Sequence, residues 1–327
     1  MQRSIVTIGA SAGGIEALTD LVANLPHTFP ATLFVVVHLS ADSPGTLPRM
    51  IARASELPTS QAVNEAAILP GHIFVAPPDR HLLVERDRMR VTRAPKENRF
   101  RPAVDPLFRS AAYAYGPQTI GVVLSGALDD GTAGLWAIKD RGGVTIVQEP
   151  NEAAYPSMPQ SALKQVQIDY RLPVKEIAAL LLRLVEEPIP EEGAAPVSEA
   201  MKIENQIALE DNALAAGVLK LGPLSPYTCP ECHGVLVQLQ EGNNIRFRCH
   251  TGHAFSMESL LGAIAESMDE TLWSAVRAFE ERMLLLRHMA AHVRQQANEV
   301  LAERFEQKAQ AAEDRVLILR QLALAKE

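Results

Sequence analysis

Through residue 185 of the 327-residue chain, short apolar runs alternate with stretches whose apolar positions recur every three or four residues. Ile5-Val6-Thr7-Ile8, Thr32 to Val37, Ile73 to Ala76, Leu82 to Val84, Thr119 to Leu124 and Val144 to Val147 have the length and β-branched content of buried strands. Helical patterns fall between them at 13–25, 45–55, 103–115 and 131–141. Strands joined through helices pair in parallel, and the helices cover both faces of the sheet. The expected fold is therefore α/β, a doubly wound and mostly parallel sheet, with function at the carboxyl ends of the strands. The stretch 72–92 reads as a hairpin-like, antiparallel interruption.

The alternation stops at "EEPIPEEGAAPVSE", residues 186–199, which mixes proline, glycine, alanine and acids without a period and reads as a linker. The expected organisation is an α/β domain at 1–185, a linker at 186–200, a short helical stretch with a cysteine-bearing module at 201–255, and a helical tail at 256–327. In the tail Leu272, Val276, Phe279, Met283, Leu286, Ala290 and Val293 step by alternating four and three. That is the stripe of a long helix lying on another, either the periodic stretch Val300 to Leu324 or the same tail of a second copy.

A net charge of −8 argues against wholesale binding of nucleic acid or anionic membrane. Apolar stretches such as Leu33 to Val37 and Ala178 to Leu184 stay below the ~18 residues a spanning helix needs. With no charged and then apolar leader at the start, a soluble, cytoplasmic protein is expected. Three cysteines bunched between 229 and 249 do not make a disulfide framework.

"SIVTIGASAGGIEAL", residues 4–18, reads as strand, glycine turn and helix start. Such a turn aims backbone N–H groups at one point, which suits a nucleotide phosphate or an oxyanion. Gly9-Ala10-Ser11-Ala12-Gly13 also has the Gly-x-Ser-x-Gly spacing of a nucleophile elbow. A dinucleotide site wants an acid after the second strand, but "TLFVVVHLS" ends in His38. His38 is either a structural histidine or a base on the rim that carries Ser11. In "IGVVLSGALDDGTAGL", Asp129 and Asp130 lie on the loop after another buried strand, where one of them can cap the next helix. Serine, histidine and aspartate on three strand ends of one rim form the constellation acyl transfer requires. The order Ser, His, Asp differs from that of the α/β-hydrolases.

Together "IGASAGG", "VVVHLS", "GHIFVAPPDRHLLV", "RPAVDPLFRSAA", "GVVLSGALDDGTAGL" and "YPSMPQSAL" resemble the catalytic domain of the chemotaxis protein-glutamate methylesterases, the CheB-type family, over residues 3–185. The resemblance implies hydrolysis of glutamate γ-methyl esters on receptor proteins, with release of methanol and with glutamine deamidation as a side activity. It implies Ser11 as nucleophile, His38 as general base and Asp130 as orienting carboxylate, with Asp129 the less fitting acid. The backbone N–H groups of Ala12 and Ala127 are implied as oxyanion donors, and no cofactor is needed for catalysis. A methylated chemoreceptor-like protein is the implied partner, together with a methyltransferase and signalling proteins of a chemosensory pathway. Neither nucleic acid nor membrane insertion is implied. The receiver domain usual in the family is not seen before residue 3, which leaves the C-terminal half as regulator or docking device. A catalytically idle adaptor of the same fold is the alternative.

Cys229-Pro-Glu-Cys232 followed by Cys249 and His253 has the spacing of a zinc ribbon, and a closed set of four ligands is structural. His250 is the rival fourth ligand and His233 a more distant one. Arg86 to Arg101 carries seven basic residues against two acids, either a solvated hairpin face or a docking surface for an acidic receptor helix.

Overall fold

The computed structural model describes residues 2–189, 196–210 and 212–325; residues 190–195 of the expected linker lie outside the described residues. Contacts divide the chain into a unit Met1–Leu260 and a unit Leu261–Glu327.

The first unit is built on strands β1 (Ile5–Ala10), β2 (Thr32–Val37), β3 (Thr59–Gln61) and β4 (Ile73–Val75), a hairpin β5 (His81–Glu85) and β6 (Arg88–Thr92), then β7 (Thr119–Val123), β8 (Val144–Gln148) and β9 (Tyr170–Leu172). Helices α1 (Gly14–Ala23), α2 (Leu47–Ala54), α3 (Val104–Tyr115), α4 (Thr132–Asp140), α5 (Ser157–Gln165) and α6 (Val174–Glu186) connect them. Seven strands form one sheet in the order β3-β4-β2-β1-β7-β8-β9, and its pairings are parallel. β1 and β2 are buried along their whole length, as a sheet covered on both faces requires. One core packs α1, α2 and α6 on one face, with Leu18, Leu21, Ile51, Ile177 and Leu181 fully buried. The other packs α3 and α4, with Leu107, Phe108, Leu135 and Ile138.

The antiparallel interruption is confined to β5 and β6; Ile73–Val75 belongs to the parallel sheet. Short β3 and β9 and helices α5 and α6 lie outside the elements read from the pattern. β3 and β9 are edge strands of three half-exposed residues, too short to show a period.

Past the linker, α7 (Glu199–Glu210) and α8 (Ala213–Ala216) lead into an antiparallel sheet, β10 (Leu224–Thr228), β11 (Val235–Glu241), β12 (Asn244–Cys249) and β13 (Ala254–Ser256). This module is fastened to the parallel-sheet domain by a buried ion cluster. The Arg248 guanidinium donates to Glu97 at 2.8 Å and to Glu204 at 2.9 Å, Arg109 donates to Glu97 at 2.8 Å, and Arg246 also donates to Glu204. Burial pushes the Glu97 and Glu204 carboxyls up, but the surrounding arginines outweigh it and hold both below the usual carboxylate range. The chain leaves the module in α9 (Met257–Gln295), which enters the second unit and is followed there by α10 (Glu299–Leu324).

In that unit the two helices run antiparallel, with Arg320 on Glu280 and Arg287 on Glu313. The expected stripe is the buried or half-buried side of α9, and Ala302, Ala309, Ala312 and Val316 are buried on α10. Among the described residues no helix is long and apolar enough to cross a membrane.

Candidate active site

β1 ends at Ala10 and the chain turns sharply into α1. Gly13 takes φ 66°, left-handed backbone in which a Cβ would also lie 2.7 Å from Ala154. The turn sets Ser11 on the rim, and its N–H donates to the Ser125 carbonyl at 3.0 Å. Gly126 passes directly behind: a Cβ there would stand 2.9 Å from the Ser11 Cβ and 2.0 Å from the Met158 sulfur. The Ser125 hydroxyl donates to the Ala12 carbonyl at 2.8 Å, so the loop after β7 braces the serine turn.

β2 lies beside β1 and ends one residue before His38, whose N–H donates to the Ala10 carbonyl at 3.1 Å. His38 Nδ1 stands 3.1 Å from Ser11 Oγ, and its Nε2 stands 2.7 Å from Asp130 Oδ2. The imidazole stacks on Phe100 with centroids 3.7 Å apart and planes 7° from parallel.

Asp130 follows β7 at the start of α4, with its side chain 1% exposed. Its Oδ2 also accepts the Val104 N–H at 2.6 Å. Its Oδ1 accepts from Asn98 Nδ2 at 2.9 Å, from the Gly131 N–H at 3.0 Å and from the Asp105 N–H at 3.2 Å. Burial pushes this carboxyl up, but the hydrogen bond and charge of His38, with the donors of Val104 and Asn98, hold it down at about 2. Ionised, Asp130 accepts the Nε2–H of His38, which leaves Nδ1 free to take the Ser11 proton. Asp129 turns away and accepts the Ser256 hydroxyl at 2.7 Å. Burial pushes its carboxyl up to about 6, opposed by that hydrogen bond and reinforced by Glu258 and Asp130.

A cleft of about 500 Å³ opens over the serine, lined by Ser11, Ala12, His38, Lys96, Phe100 and Arg101 among others. Ala12 borders it directly; Ala127 is exposed and is not among the described residues that line it. Most of the basic stretch is ion-paired: Arg88 and Arg90 with Glu65 and Glu85, Arg93 and Arg101 with Asp79, and Lys96 with Glu231. Asn98, Phe100, Asp105 and Ser125 escaped the sequence reading. For Asp105 a signal existed, an acid in the first turn of α3.

A second cluster forms in the module. One ligand atom each of Cys229, Cys232, Cys249 and His253 lies within 4.8 Å of the others. Cys232 and Cys249 sulfurs are 3.6 Å apart, and His253 Nδ1 is 3.5 Å from Cys249 and 3.7 Å from Cys229. A tetrahedral ion with ordinary metal–sulfur and metal–nitrogen bonds sets such donors roughly 3.5–3.8 Å apart, so the set fits one. The His250 ring lies over Gly234, where a Cβ would meet it at 2.1 Å, and His233 is exposed.

Residues 6–181, more than half of the chain, match the family model described as CheB methylesterase. A Leptospira interrogans protein, provisionally assigned the activities of protein-glutamate methylesterase and protein-glutamine glutaminase, is 37% identical over 185 residues, 56% of this chain and 96% of the relative. The protein-glutamate methylesterase/protein-glutamine glutaminase 2 of Anaeromyxobacter dehalogenans is 38% identical over 180 residues, 55% of this chain and 53% of the relative. The crystal structure of the Thermotoga maritima CheB methylesterase catalytic domain superposes with a TM-score of 0.54 at 33% identity, covering 57% of this chain and 100% of that one. With that fold, and with those motifs gathered on one rim, the chain belongs to the CheB methylesterase family.

Proposed function

We propose that this chain hydrolyses the γ-methyl esters of glutamate side chains on methylated receptor proteins, giving glutamate and methanol, and hydrolyses glutamine side-chain amides as a second activity. The observation that carries this reading is the line from Ser11 Oγ through His38 to Asp130, with contacts of 3.1 and 2.7 Å. The relatives' names supply the two substrates.

In the mechanism Ser11 Oγ attacks the ester carbonyl while His38 Nδ1 takes its proton. The oxyanion is met by the Ala12 N–H at the entrance to α1, which borders the cleft. His38 returns the proton to the leaving methoxide, and methanol departs. Water, deprotonated by the same imidazole, then frees the glutamate carboxylate. Asp130 keeps the imidazole in one tautomer and stabilises the imidazolium.

In this reading the catalytic domain ends near residue 185, and the rest is an interaction arm. The arm carries a structural zinc on Cys229, Cys232, Cys249 and His253, and a cytoplasmic setting keeps those thiols reduced. Zinc content of the purified protein should drop in Cys232→Ser, and equal metal in both forms would contradict the zinc assignment.

The function is tested by methanol release from peptides of a receptor helix bearing glutamate methyl esters. Wild-type protein should release methanol, and Ser11→Ala should be slower by roughly 10⁶-fold. Release at the wild-type rate by Ser11→Ala, or none by the wild type, would overturn it.

A further inference from the structure

The segment Glu97 to Phe100 is a tight turn with two non-glycine residues at positive φ, Asn98 at 50° and Arg99 at 75°. It is closed by Glu97 N–H to the Phe100 carbonyl at 3.2 Å and Phe100 N–H to the Glu97 carbonyl at 2.9 Å. Asparagine tolerates this backbone better than most residues, but such a turn persists only where its surroundings hold it. Here the holder is the C-terminal module. Ala254 of β13 donates its N–H to the Lys96 carbonyl at 3.2 Å, and its carbonyl accepts the Asn98 N–H at 2.8 Å. Glu97 is clamped by Arg248 of β12.

The Asn98 side chain then joins the module to the proposed triad. Its Oδ1 accepts the Ser256 N–H at 2.9 Å and the Ser259 hydroxyl at 3.2 Å. Its Nδ2 donates to Asp130 Oδ1 at 2.9 Å and to Asp105 Oδ2 at 2.8 Å. These four partners fix the orientation of the amide. Reversed, it would set an oxygen against the ionised Asp130 carboxylate and an NH₂ against a backbone N–H. All five residues are buried, so a hydrogen bond lost here is not remade to bulk solvent.

We propose that Asn98 is a positioning residue that aims Asp130 at His38, and that Ser256 of β13 and Ser259 in the first turn of α9 hold Asn98 to that task. The proposal rests on the Ser11-His38-Asp130 reading above. Besides its place in the arm, the module thus braces the hydrolytic site through Asn98. The same turn delivers Phe100 to the His38 ring, so module, turn and imidazole are mechanically continuous.

The test uses the full chain and two readouts: the rate at which a fluorophosphonate labels Ser11, and kcat and KM for methylated receptor peptides. Asn98→Ala and Asn98→Asp should each slow labelling and kcat by roughly 100-fold with KM unchanged, since a triad displaced by an ångström loses about that much. Ser259→Ala, which removes one oxygen and serves as the deciding variant if the Asn98 substitutions unfold the protein, should slow both several-fold, the scale of one lost hydrogen bond. Because Ser259 acts through Asn98, the double variant Asn98→Ala/Ser259→Ala should be no slower than Asn98→Ala alone. Folded variants that label at the wild-type rate, effects on KM alone, or effects that multiply in the double variant would overturn the proposal. Failure of the wild type to label at Ser11 would overturn the triad reading and the proposal with it, whereas normal wild-type labelling with unaffected variants overturns only the proposal.

Discussion

Ser11 and His38 stand past the ends of β1 and β2, two neighbours in a parallel ladder that runs in register from Ile5 on Thr32 to Ala10 on Val37. Asp130 is aimed by groups from elsewhere: Asn98 and the Val104 N–H, 32 and 26 residues away in sequence, and beyond Asn98 the Ser256 N–H, a further 158 residues on. A ladder repeats its hydrogen bonds, so the rim that carries Ser11 and His38 tolerates the loss of one. The carboxylate is held instead by irregular contacts, with Asn98, Val104 and Asp105 all donating from the 94–105 segment, so displacing that one segment removes several donors at once. Robustness therefore belongs to the sheet side of the site and sensitivity to the side built from the 94–105 segment and the module.

Breaking the sensitive side should give the largest change in stability. Glu204 is fully buried and pairs with Arg246 and Arg248, so Glu204→Ala leaves uncompensated guanidinium charge in the interior. Denaturant unfolding should show a loss of about 3–5 kcal/mol, and hydrogen exchange should rise in β12 and β13 before β1 and β2. Uniform exchange across both sheets would erase the distinction.

The adjacent acids Asp129 and Asp130 sharpen the comparison, since the same burial leaves them shifted in opposite directions. Asp129 titrates at about 6 in the folded protein against 3.8 when free, so its ionisation costs stability that is absent near pH 4 and fully felt above pH 6. Asp129→Asn should raise the thermal midpoint at pH 7.5, corresponding to about 1–2 kcal/mol, and leave it unchanged near pH 4. Asp130, depressed to about 2, stabilises above its free value of 3.8, and that contribution is lost as pH falls toward 2. Asp130→Asn should therefore flatten the acid limb of the stability profile. Equal behaviour of the two variants at both pH values would contradict the assignment of their environments.

The smallest effect is expected in the helical unit. Arg287 and Glu313 are 2.8 Å apart but 43% and 37% exposed, and Arg287→Ala should cost no more than about 0.5 kcal/mol in thermal unfolding.

The difference between the two sides also explains what the sequence made legible. Ser11, His38 and Asp130 each follow a run of buried β-branched residues, and a strand end is a local pattern. The spacing of Cys229, Cys232, Cys249 and His253 is likewise a local signal, and the structure gathers those four into a cluster able to hold a metal ion. Asn98 was invisible, since nothing in "KENRF" records that its amide will meet Ser256. The long-range partner is chosen by the packing of β13, which no local period encodes. Helix α6 is a different case. Val174, Ile177, Ala178, Leu181 and Leu184 have a helical period, a local signal for α6 that the sequence does carry. The ion pairing of the basic stretch is not legible in the stretch itself, because its partners Glu65, Asp79 and Glu231 come from outside it.

The central claim, that Ser11 is acylated by a glutamate methyl ester and released by water, is tested most directly by rapid-quench mass spectrometry of the full chain mixed with a methylated receptor peptide. The account predicts a transient species of enzyme plus peptide minus methanol, mapped to Ser11 and absent from Ser11→Ala. Methanol release with no adduct on Ser11, and undiminished in Ser11→Ala, would contradict it.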